Sequence, residues 1–214
     1  MIHKYHQDMP RLVDHDQRRR QITDALVQVA ATSGLHNVTM RKVAMRAGVS
    51  VRLVQYFFTD KASLMMAALQ RLEERSSARW AEVRDQVLDH GVPVRVAIEA
   101  FLAAAAVDDD ESRAFQLVWT SYATMAMTDP DLAARPFVDG PNRVEAELVQ
   151  LLQLAAERNE LASRADGTSA DPEMEGARLL MLNHGLGTSV LIGQRTPDQA
   201  IAILRYHLNE LFVW

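Results

Sequence analysis

The chain has 214 residues, no cysteine and a net charge of −5. That length can bury a sizeable core in one or two small domains. The missing cysteines exclude disulfides and thiolate metal sites. No apolar run approaches the ~20 residues needed to cross a bilayer.

The first ten residues, MIHKYHQDMP, lack the apolar centre of a secretory signal, so a cytoplasmic location with no membrane partner is expected. Charge is uneven along the chain. Residues 1–75 hold 12 Lys and Arg against 7 Asp and Glu, whereas residues 76–214 hold 11 against 21. A basic head on an acidic body implies that only the first part meets a polyanion.

Residues 1–15 read as a flexible arm. A first helix is predicted from about Asp16 to Ser33, because Ile22, Ala25, Leu26, Val29 and Ala30 fall on one face. Gly34 can end it with a left-handed residue. Thr39 can cap a short helix carrying Met40, Val43, Ala44 and Ala47, which stops at Gly48. Ser50 caps a second short helix with Val51, Val54 and Phe58 as its apolar positions. Asp60 caps a longer one reaching towards Val83. Five more helices follow, over roughly 93–107, 110–128, 130–161, 171–193 and 197–212. The third of these should break near Pro136 to Pro141. Prolines 93, 130, 172 and 197 stand near helix starts, where a missing N–H costs little. The segment 162–171 is small and polar, as in a loop. About nine helices in all make an all-α architecture.

The stretch TMRKVAMRAGVSVRLVQYFFTDK, Thr39 to Lys61, has the layout of a helix-turn-helix. Its first helix braces, and its second presents Arg52, Gln55 and Tyr56 outward to the major groove of double-stranded DNA. Arg52 suits guanine N7 and O6, and Gln55 suits adenine. Thr39, Ser50, Tyr56 and Lys61 suit phosphate oxygens, which fix register. Arg18, Arg19, Arg20, Arg41, Lys42 and Arg46 add positive field, with Arg41 counted among the contacts.

From about Ile22 to Leu72 the chain resembles the TetR family of transcriptional regulators. The likeness rests on a helix ending at Gly34, on VTMRKVAMRAGVS, and on LVQYFFTDKASLMMAAL, where an aromatic pair, Phe57 and Phe58, precedes the helix-opening Lys61. Arg52 and Gln55 stand where the family usually has glycine and tyrosine, so its base contacts cannot be copied across. The resemblance implies a three-helix, homeodomain-like DNA-binding head over residues 16–60. It also implies a larger helical ligand-binding and dimerisation domain over 61–214.

Within that body, Phe115, Val118, Trp119, Tyr122, Met125 and Ala126 form a helical stripe. By resemblance it borders an effector cavity, and Phe101, Trp119, Tyr122, Met125 and His184 are the candidate ligand contacts. A plain core stripe is the alternative reading of the same spacing. Gly185 and Gly187 are costly inside a helix and suggest close helix approach. In the family the last two long helices form a four-helix bundle with a second subunit. Leu186, Val190, Ile203, Leu204, His207 and Leu211 are the expected contacts of such a homodimer.

No phosphate loop, nucleophile elbow or metal-ligand spacing is visible, so neither an enzyme, a cofactor nor a metal is expected. The acidic run from Asp108 to Glu111 reads as a solvated helix start. The expected function is repression, released from a pseudo-palindromic operator by a small, largely apolar effector. The alternatives are a helical small-molecule-binding protein with a degenerate head, or an activator.

Overall fold

Each short helix of the first sixty residues is fixed at both ends by local chemistry. In the computed structural model, which describes residues 9–34, 37–104, 110–134, 138–163 and 167–213, helix α1 spans Met9–Ser33. Gly34 follows it with a φ of 76° and donates its N–H to the Ala30 carbonyl. The Thr39 hydroxyl accepts from the Lys42 N–H and opens α2, Met40–Ala47. Gly48, at φ 65°, closes α2 in the left-handed region that glycine tolerates best. Ser50 accepts from the Leu53 N–H to open α3, Val51–Phe57. Asp60 and Ser63 make a reciprocal capping box at the start of α4, Lys61–His90.

The body follows as α5 (Val94–Ala104), α6 (Asp110–Ala126), α7 (Pro130–Ala133), α8 (Asp139–Glu157), α9 (Pro172–Leu191) and α10 (Pro197–Leu211). The described residues thus hold ten helices and two isolated β-bridges, Leu161 to Phe212 and Ser163 to Ser169. Ten rather than nine arise because the predicted 130–161 helix divides into α7 and α8. Pro141 lies inside the first turn of α8, where no intrahelical N–H bond is needed. Two further boundaries differ from the sequence reading. The first helix begins at Met9 rather than Asp16, inside the expected arm, and residues 1–8 lie outside the described set. The fourth helix continues past Val83 to His90, where Gly91 at φ 66° stops it. Asp108 and Asp109 lie outside the described residues, and α6 opens at Asp110.

Two apolar clusters organise the helices. The first joins α1, α2, α3 and the start of α4 to α6 and α7: Ile22, Leu26, Val43, Val54, Phe58, Leu64 and Leu69 share it with Val118, Tyr122 and Leu132. The second joins the far part of α4 and α5 to α8, α9 and α10, through Val87, Ile98, Leu148, Leu152, Leu179, Leu204 and Leu208. The head therefore has no core separate from the body.

Close approach between helices is paid for in glycines at particular positions. A Cβ at Gly187 would sit 3.0 Å from the Gln116 amide carbon, so α9 and α6 meet there. Gly185 differs from expectation: nothing lies within 4 Å of where its Cβ would be, and it faces outward. A Cβ at Gly140 would overlap the Glu73 carboxyl, so α4 meets the first turn of α8 at that point. Burial is the main reason the Glu73 acid is raised to about 7; Arg143 pulls it down and Asp139 pushes it up.

Two outcomes follow for stability. Gly48→Ala should cost about 1–2 kcal/mol, seen as a lower melting temperature, because a side chain there enters the left-handed region. Glu73 ionises in the unfolded chain near 4.5 but in the folded chain only near 7. Its contribution is thus intact below about pH 4.5 and is lost as pH rises through 7. Glu73→Gln should match the parent near pH 4.5 and melt at a higher temperature above pH 7.

Candidate functional site

On α3, Val54 is buried at 0% exposure while Arg52, Gln55 and Tyr56 are exposed. Leu53 and Phe57 are half-buried on the flanks. A single buried residue per turn leaves a broad outward face, and the three predicted reading residues all lie on it. Arg41 is exposed on α2. Lys61, at the first position of α4, is half-buried rather than fully exposed.

Thr39 and Ser50 are exposed, and their oxygens accept the cap bonds of α2 and α3. An accepting hydroxyl still has its own proton to donate. Each can therefore hold its helix and meet an anionic oxygen at once.

Contacts from α1 fix the angle of this pair. The Gln21 amide donates to the Ala47 carbonyl at the end of α2 at 2.6 Å. Arg46 donates to the Gln28 side chain at 2.8 Å. At the far end of α3, the Arg19 guanidinium lies 5.0 Å over the Phe58 ring. Sequence reading treated Arg19 and Arg46 as general positive field; both have specific structural partners. One turn further on, Arg75 of α4 pairs with Asp24 of α1 at 2.8 Å.

The expected ligand residues do not all meet. Trp119 and His184 do: their rings stack at 4.4 Å with a 30° tilt, joining α6 to α9. Burial lowers the His184 pKa, which favours the neutral ring. Beside them Gln116, buried at 6%, approaches the His184 carbonyl at 3.5 Å and the Thr188 hydroxyl at 3.4 Å. The Trp119 indole N–H is buried and has no acceptor among the described residues. Tyr122 is fully buried in the first cluster, directly under the head. Met125 is a correction: at 37% exposure on the last turn of α6, it stands at the surface. Phe101 is another, since it packs against the second cluster rather than the one that holds Trp119 and Tyr122. Gln116 and Thr188 were missed by sequence reading. A glutamine one turn before Trp119, beside the apolar stripe of that helix, was the available signal.

Of the expected dimer contacts, three lie almost wholly inside the protomer. Leu186, Leu204 and Leu211 are buried at 9%, 2% and 5% within the protomer, so they have little surface to offer a second chain. His207 is half-buried, with Nε2 3.4 Å from the Glu175 carboxylate of α9, and burial lowers its pKa. Val190 and Ile203 are half-buried and pack against the second cluster. The outward apolar stripe lies elsewhere. On α9 it runs through Met174 and Met181, exposed at 60% and 58%, and reaches Ile192, the cap residue after α9, at 71%, with Arg178 and Gly185 on the same face. On α10, Ala202 and Tyr206 face outward beside Ile203. An open depression of about 470 Å³ lies where the link after α9 meets the start of α10, lined by Gln194, Arg195, Gln199, Ala202 and Ile203.

Among the described residues there is no group of three potential metal ligands, and no helix is long and apolar enough to cross a membrane. A family model for the BetI-type transcriptional repressor, C-terminal, matches residues 94–213. A model for bacterial regulatory proteins of the tetR family matches residues 22–68. The transcriptional regulator PksA of Bacillus subtilis is 21% identical over 207 residues, covering 96% of this chain and 95% of PksA. BetI of Escherichia coli is 30% identical over 129 residues, 58% of this chain and 63% of BetI, so that match spans under two thirds of the regulator. In three dimensions, a TetR-family regulator from Rhodococcus sp. superposes with a TM-score of 0.74 at 23% identity, over 92% of this chain and all of that one. A transcriptional regulator from Saccharomonospora viridis, solved in complex with choline, gives 0.74 at 20% identity, over 93% of this chain and all of its own. At these identities the solved structures show the shared fold.

Proposed function

We infer, from the premise that this chain belongs to the TetR family of DNA-binding transcriptional regulators, that it is a cytoplasmic, non-enzymatic repressor which binds its operator as a homodimer and is released by a small effector. The observation that carries the reading is the outward face of α3. Arg52, Gln55 and Tyr56 are exposed on a helix that Ser50 caps and Val54 anchors. Arg52 and Gln55 are assigned to bases, and Thr39, Arg41, Ser50, Tyr56 and Lys61 to phosphates.

The dimer is assigned to the outward stripe of α9 and α10. Met174, Met181, Gly185, Ile192 and Tyr206 would face their copies across a two-fold axis. Gly185, open and without a neighbour at its Cβ position, lets a second helix come close. Two heads related by that axis suit two half-sites of a pseudo-palindrome.

The effector is assigned to the ground between α6 and α9. The stacked Trp119 and neutral His184 offer an apolar wall, Gln116 and Thr188 offer polar atoms, and the Trp119 N–H calls for an acceptor. An apolar molecule with one acceptor oxygen or nitrogen fits that chemistry. The choline held by the Saccharomonospora regulator supports a small-molecule site in a body of this fold. Helix α6 belongs to the same cluster as the head, so a ligand that shifts it acts on the head directly. It can move the equilibrium only by its difference in affinity for the two arrangements.

Selection of a random-sequence duplex pool on the full-length protein should enrich a pseudo-palindrome; no enrichment would remove the DNA-binding assignment. On the selected duplex, Arg52→Ala should cost about 1–3 kcal/mol and relax preference at one base position. Lys61→Ala should weaken binding to all sequences and reduce the salt slope by about one. Met181→Arg should convert a particle of twice 24.0 kDa into one of 24.0 kDa by light scattering, because it sets a further cation beside the exposed Arg178 on each of the two facing surfaces.

A further inference from the structure

We propose that His15, on α1, is a positioning residue for DNA reading: it holds the Tyr56 ring in place on the outward face of α3. The proposal rests on α3 being the reading helix. The His15 imidazole lies 4.6 Å from the Phe57 ring, tilted by 55°. It lies 6.3 Å from the Tyr56 ring, edge to face at 75°. Tyr56 and Phe57 themselves meet at 5.4 Å and 86°. The three rings close a triangle.

One corner of that triangle is anchored. Phe57 is half-buried and packs against the core of the head. Tyr56, at 73% exposure, has no such support from burial. Phe57 is its chain neighbour and bounds one side of the ring. His15 comes from a different helix and bounds another. Arg19, one turn along α1, lies 5.0 Å over Phe58 and pins the same stretch of α1 to the end of α3. The position of His15 is thus set by a second contact, independent of Tyr56.

The consequence lies in ordering. An exposed tyrosine that is free to rotate must lose that freedom when its hydroxyl meets a phosphate. A ring already held edge to face against two aromatic neighbours loses less. His15 raises affinity in this way without touching the nucleic acid. Because Tyr56 carries a register contact, the effect applies to every sequence alike.

The test uses the full-length protein and the duplex selected from the random pool, with affinity read by fluorescence anisotropy across a salt series. His15→Ala should bind about three- to tenfold more weakly, with an unchanged salt slope. His15→Phe keeps an aromatic ring and should bind within twofold of the parent. In a Tyr56→Ala background, His15→Ala should add nothing further. The proposal is overturned if His15→Ala binds like the parent, or if its loss persists undiminished beside Tyr56→Ala. It is also overturned if His15→Phe melts like the parent yet binds weakly with a salt slope lower by about one, which marks a direct phosphate contact. Failure of the DNA-reading assignment itself would show differently, as an Arg52→Ala variant that binds the selected duplex as tightly as the parent does.

Discussion

The head of this protein is held by a core it does not own alone. Ile22, Leu26 and Ala30 of α1, Val43 of α2 and Val54 of α3 are buried in the same cluster as Val118 and Tyr122 of α6. Helices of eight and seven residues, the lengths of α2 and α3, are far below the ~12–15 residues at which an isolated helix becomes even marginal in water. Their existence depends on tertiary packing. Helix α6 packs against α1 and α4, α1 packs against α2, and α2 against α3, so what happens in the body reaches the helix assigned to reading through α1 and α2.

The same constraint gives regulation a physical route. Helix α6 has two loyalties. Val118 and Tyr122 lie in the cluster with the head, while Gln116 and Trp119 face α9 through Gly187, Thr188 and His184. Helix α9 in turn carries the outward stripe assigned to the second subunit. Packed interiors rearrange between discrete arrangements rather than yielding smoothly. In the proposed dimer, a small displacement between α6 and α9 would therefore have two outlets, the angle of the head and the spacing of the two heads.

Much of this was legible in the sequence because it was written in local chemistry. Thr39, Gly48, Ser50 and Asp60 act at their own positions, through caps and a left-handed turn, and all four do what their residue types predict. The outward set Arg52, Gln55 and Tyr56 follows from helical period alone. What periodicity could not settle was which apolar face meets which neighbour. The stripe of Leu204, Leu208 and Leu211 on the last helix is real, but it covers the protomer's own second cluster. The exposed set, Met174, Met181 and Ile192, is interrupted by Arg178 and Gly185 and so scores poorly as a stripe. Gly185 and Gly187 look alike in sequence, yet only the second meets another helix, because two positions on a helix are 200° apart. Met125 misled for a related reason: the buried line of α6 runs through Val118, Tyr122 and Ala126, and Met125 falls beside that line rather than on it.

In the head, the side chains assigned to bases are not those that hold the fold, and that separation has a thermodynamic meaning. Thr39 and Ser50 are bound into helix caps, and Phe57 into the core. Changing any of them disturbs the fold along with any contact to DNA. Arg52 and Gln55 project from a helix whose position is already set by Ser50, Val54 and Phe58. Residues without a structural task can change identity at little cost to stability. The two positions at which this chain departs from the usual glycine and tyrosine of its family are these two. On that assignment, a head built this way can alter its base preference at Arg52 and Gln55 while the caps of Thr39 and Ser50, and with them those two assigned phosphate contacts, stay in place.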